Sequence, residues 1–78
     1  MKVIFGKNII ADSQILAGKP VIRGTRIPVD LILKKLAENI PADEILRDYP
    51  RLTKDHIQEI LKYAHSLVSR EEVYPASL

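Results

Sequence analysis

Gly18-Lys19-Pro20-Val21-Ile22-Arg23-Gly24-Thr25-Arg26-Ile27-Pro28-Val29 divides the chain into two regimes. Gly18 can supply a positive φ and Pro20 fixes the φ that follows, so Ala17 to Pro20 reads as a turn. Val21-Ile22-Arg23 then resumes an extended path, and Gly24-Thr25 breaks it. Pro28 suits the first position of a helix, and Asp30 falls in the first turn, where the helix dipole favours an anion. The stretch is a joint: short extended pieces precede it and helices follow it.

Downstream, Val29, Ile32, Leu33, Leu36 and Ile40 keep the three-and-four spacing of one buried stripe, which predicts a helix from about Pro28 to Asn39. Leu31 lies off the stripe and is a candidate contact residue. Pro41 restarts the chain, and Asp43 and Glu44 occupy the first turn of a short second helix that turns Ile45 and Leu46 inward. Tyr49-Pro50 ends it. Thr53 is a good N-cap for a third helix, whose apolar set Ile57, Ile60, Leu61, Ala64, Leu67 and Val68 persists for about four turns. From Arg70 to Leu78 the periodicity dissolves.

Upstream, Val3-Ile4-Phe5, Ile9-Ile10-Ala11 and Ile15-Leu16-Ala17 are short apolar runs separated by turn formers, and they read as strands or an ordered arm. They are too short to form a core by themselves. The expected fold is therefore mainly α: a three-helix, homeodomain-like helix-turn-helix core over residues 28–69. An N-terminal β arm or hairpin and the joint precede it over residues 1–27, and a flexible tail follows over residues 70–78, all within one domain of 78 residues. With no cysteine, disulfides and thiolate metal sites are excluded. The apolar run at the start is shorter than a signal peptide requires, and no run approaches a membrane span, so a cytoplasmic protein is expected. A net charge of +2 and a pI near 9.0 give mild attraction to polyanions.

In a helix-turn-helix core the third helix is the reader. At 100° per residue Lys54, Gln58, Lys62 and His65 gather in one exposed sector, suited to phosphates and base edges. Arg51 lies just ahead, and Thr53 could both cap the helix and touch a phosphate. Arg23 and Arg26 in the joint, with Lys34 and Lys35, could add a basic rim. Asp55 and Glu59 sit on the neighbouring sector and oppose a close phosphate. The bland alternative is a solvated face, which every small helical domain needs.

Other chemistries fit less well. Gly18-Lys19 fails as a phosphate loop, because Ser13 stands where that motif needs glycine and Pro20 where it needs Ser or Thr. His56 and His65 fall on different faces of the third helix without a completing ligand set, so no metal is expected. No serine has a base and an orienting acid at recognisable spacing, so no catalytic residues, cofactor or enzyme activity are expected.

The stretch from Gly18 to Val29 also resembles the signature of domain-of-unknown-function family 433. The likeness continues through Leu31 to Ala37, Asp43-Glu44-Ile45-Leu46, Tyr49-Pro50-Arg51-Leu52-Thr53, and Ile57 with Tyr63-Ala64, covering about residues 9 to 68. It departs at Asn39-Ile40, where the family commonly has glycine, although asparagine also tolerates a left-handed helix cap. The resemblance implies a helix-turn-helix relative similar to VapB-type antitoxins, paired with a PIN-like ribonuclease toxin. A homodimer would bind operator DNA, and the tail would fold onto the toxin, burying Val73, Tyr74 and Leu78. The alternatives are an interaction module of the same fold that does not read DNA, and a stand-alone transcriptional regulator.

Overall fold

The computed structural model describes residues 2–69. Its order is β1 (Lys2–Phe5), β2 (Ile9–Asp12), a 3-10 turn (Leu16–Gly18), β3 (Pro20–Ile22), α1 (Val29–Ala37), α2 (Ala42–Asp48) and α3 (Lys54–Ser69). The strands form an antiparallel meander, β1-β2-β3. Phe5 pairs with Ile9 and Ile9 with Ile22, so these three share a row and a face.

This corrects the expectation of a mainly α fold with an appended arm. The protein is a small α+β fold in which the sheet, N-terminal to the helices, is part of the core. Ile9 and Ile22 are buried in one cluster with Val29 and Ile32 of α1, Ile45 of α2, Leu52, and Ile57 and Ile60 of α3. Phe5 and Ile27 pack against that cluster. The physical reason is cooperative: no strand of three or four residues makes a core, but paired strands present one apolar row that three helices can cover.

Ile15-Leu16-Ala17 is not a strand. The register closes with Ala11 opposite Pro20, so the residues between them must reverse the chain. Asp12 starts the reversal by accepting the Gln14 N–H at 2.9 Å on its carboxylate. Leu16, Ala17 and Gly18 then take φ values of 47, 56 and 86°. Two of these three left-handed residues carry side chains, so a clear glycine marks only the last of them.

Pro28 precedes α1 as its cap, in extended conformation, and pairs back with Val21. The helix ends at Ala37, earlier than its apolar stripe suggests. Asn39 takes φ 64°, its N–H donates to Leu36 O, and the Ile40 N–H donates to Lys35 O at 3.1 Å. This is a Schellman cap with asparagine in the glycine position. Ile40 is thereby turned back against the core, and Leu31 is half-buried beside the stripe.

Candidate nucleic-acid interface

α3 has a reciprocally bonded start. Thr53 Oγ1 accepts the His56 N–H at 3.2 Å, while His56 Nδ1 accepts the Thr53 N–H at 3.2 Å. This is a capping box with histidine in the place usually held by Glu or Gln, and it puts the ring proton on Nε2. Ile57 and Ile60 hold one face of the helix in the core. Lys54, Gln58, Lys62 and His65 are exposed, as is Arg51 just before the helix. Lys54, Gln58 and Lys62 follow one another at four-residue intervals, so they form a single row along the outer side.

The flank of this row is occupied by the β1–β2 turn. Asn8 donates its main-chain N–H to Glu59 Oε2 at 3.1 Å and its side-chain Nδ2 to Glu59 Oε1 at 2.8 Å. Asn8 also accepts, on its main-chain oxygen, the Arg23 N–H at 2.6 Å. A single residue thus ties together the hairpin, the β3–α1 loop and α3. An open cleft of about 280 Å³ at this junction is lined by Lys7, Asn8, Asp55, Gln58, Glu59 and Lys62. A second, of about 390 Å³, lies between β1 and α3, with Ile4, Phe5 and Tyr63 in its wall. The Phe5 and Tyr63 rings meet in a tilted arrangement, centroids 4.8 Å apart and planes at 54°.

The structure therefore brings the Arg23 main chain to the residue, Asn8, that shares a cleft with Gln58 and Lys62, a pair far from Arg23 in sequence. Arg26 is exposed three residues beyond Arg23 on the same loop. That loop is stapled by Thr25, whose Oγ1 donates to Ile22 O at 2.7 Å and accepts the Ile27 N–H at 3.0 Å. Gly24 takes φ 77° at the loop's bend. Glu59 does not stand free beside the row, since both its oxygens are occupied by Asn8. Val73, Tyr74 and Leu78 lie outside the described residues. Lys7 and Asn8 are the residues of this junction that sequence reasoning overlooked. Asn8 is separated from Glu59 by 51 positions and no local pattern links them.

Comparison with known proteins agrees with the signature in the joint. The family described as "Protein of unknown function (DUF433)" matches residues 9–64. The chain belongs to the DUF433 family. A relative, an uncharacterized protein of Archaeoglobus fulgidus, is 58% identical over 24 residues, covering 31% of this chain and 67% of that protein. No solved structure matches. The matched DUF433 region starts at Ile9, inside β2, and so includes the two strands that supply Ile9 and Ile22 to the core. Among the described residues, no helix is long and apolar enough to cross a membrane.

Proposed function

We propose that this DUF433 protein is a non-catalytic, DNA-binding antitoxin that represses its own operon and neutralises a PIN-like ribonuclease. The observation that carries the reading is the row Lys54, Gln58 and Lys62 on a helix whose opposite face is locked into the core. A helix held this rigidly can present its outer side chains to a groove without paying for their alignment, with Lys meeting phosphate or guanine and Gln meeting adenine. Arg51 and Thr53 stand at the helix start, where main-chain N–H groups also favour phosphate. Arg23 and Arg26 extend the basic surface onto the joint.

Homodimerisation is part of the reading. Val3 and Ile4 of the edge strand β1 are 40% and 52% exposed, and Leu67 and Val68 at the end of α3 are 45% and 61% exposed. Aliphatic groups left in water on an unpaired strand edge favour association with another chain. The same surface favours a second reading, a protein-interaction module that does not bind DNA. The tail residues Val73, Tyr74 and Leu78 are assigned to the toxin.

The test is binding to a duplex taken from upstream of the chain's own reading frame, measured across a salt series. Log affinity should fall linearly with log salt, and Lys54→Ala with Lys62→Ala should flatten the slope by about two phosphate contacts. An unchanged slope retires α3 as the reader. Ending the chain at Ser69 should abolish capture of the PIN-like partner and leave DNA binding intact.

A further inference from the structure

We infer that the β1–β2 turn, Gly6-Lys7-Asn8, is a second nucleic-acid contact, which sets Lys7 and Arg23 on the sugar-phosphate wall beside the groove that α3 enters. The inference rests on the reading of α3 as the DNA-facing helix and adds to it an element and a residue, Lys7, from the opposite end of the chain.

The argument is one of widths. An α-helix with its side chains is about 10–12 Å across, and the major groove of B-DNA is about 12 Å wide. A helix lying in that groove fills it, so anything packed on the helix flank meets the groove's wall, where the phosphates are. The turn is packed on that flank, because Asn8 reaches Glu59 at 2.8 and 3.1 Å. Glu59 lies one residue beyond Gln58, about 100° round the helix from the centre of the outward row.

The chemistry at that position suits a phosphate. Lys7 and Lys62 line the same cleft. Arg23 is held at its edge by the 2.6 Å bond from its main-chain N–H to Asn8 O. Lys7, Arg23 and Lys62 are all exposed, so their cations are available to a polyanion. Glu59, the carboxylate nearest on this flank, keeps its charge but is half-buried and held by Asn8 on both oxygens. Asp55 also lines the cleft and, with Glu59, opposes a phosphate inside it. The contact therefore lies at the rim, where Lys7 and Arg23 stand. Asn8 is a positioning residue: it holds the turn against α3 and meets no phosphate itself.

The experiment is a fluorescence-anisotropy titration of the full chain against a labelled duplex from upstream of its own reading frame, over a range of sodium chloride concentrations. Lys7→Ala and Arg23→Ala should each lower the magnitude of the log-log salt slope by about 0.9, the value of one phosphate contact on B-DNA. Lys7→Arg should restore the wild-type slope. Asn8→Ala, which removes the side-chain bond and keeps the main-chain bond to Glu59, should lose part of what Lys7→Ala loses, and the double variant should lose no more than Lys7→Ala alone. Thermal melts followed by circular dichroism check that each variant is folded.

The inference is overturned if Lys54→Ala flattens the slope while Lys7→Ala and Arg23→Ala keep that of the wild type; α3 then still reads DNA and the turn does not. If the wild-type chain has no measurable affinity for the duplex, the reading of α3 and this inference fall together. Losses for Lys7→Ala and Arg23→Ala with rescue by Lys7→Arg support it.

Discussion

The two halves of α3 carry the same apolar rhythm and meet opposite fates. In the first half Ile57 and Ile60 are 7% and 0% exposed, the start is closed by the Thr53–His56 exchange, and the flank is held by Asn8. In the second half Leu67 and Val68 are 45% and 61% exposed. The repeat is continuous in sequence, but the layer of α1, α2 and sheet that covers it is not. Periodicity therefore tells which side of a helix is apolar, and only the surrounding elements decide whether that side is spent on stability or left for association.

Four measurements test this contrast. The largest effect should come from the covered half: Ile60→Ala should cost about 2–5 kcal/mol in chemical denaturation, because it opens a cavity in a site with no exposure. A loss below about 1 kcal/mol would mean that the first half is no better packed than the second. Next, Asn8→Ala removes the side-chain hydrogen bond to the Glu59 carboxylate and keeps the main-chain one. Charged hydrogen bonds contribute about 1.5–3 kcal/mol, and because Glu59 is only half-buried the expected loss is at the low end, about 1.5 kcal/mol. Hydrogen exchange should show the β1–β2 turn opening in that variant while Ile60 stays protected.

Thr53→Ala should cost about 1 kcal/mol by removing the acceptor for the His56 N–H. Its effect should appear as fraying confined to the first turn of α3. The smallest change in stability belongs to the open half, where Leu67→Ala should shift unfolding by no more than about 0.5 kcal/mol. Its effect should appear instead in sedimentation, as a weaker self-association at equal concentration. A large loss of monomer stability from Leu67→Ala would erase the distinction between the halves.

The helices were legible because each of their cues is local. Thr53, Asp43-Glu44 and Pro41 mark helix starts within a turn of where they act, and Asn39 marks a stop that its left-handed φ makes good. The exposed row of α3 follows from spacing alone. The sheet was legible only as fragments, since the worth of Ile9 depends on Ile22 being opposite it, and nothing within either strand states that pairing. Ile15-Leu16-Ala17 misleads for a related reason: its β-branched and aliphatic residues suit a strand, but the register around it demands a reversal. The junction at Asn8 was illegible for the plainest reason, a partner 51 positions away.

That separation has a consequence in time. Strand pairing within the meander and the turns of each helix are short-range, and they close at little entropic cost, whereas Asn8 cannot meet Glu59 until nearly the whole described chain has been made. At about 5–20 residues per second, synthesis leaves Asn8 waiting about 3–10 s for its partner. During that interval the nascent hairpin can pack on α1 and α2 but lacks the flank of α3 that holds its turn. The contacts that fasten the N-terminal hairpin to α3, Asn8 with Glu59 and Phe5 with Tyr63, are thus among the last to form.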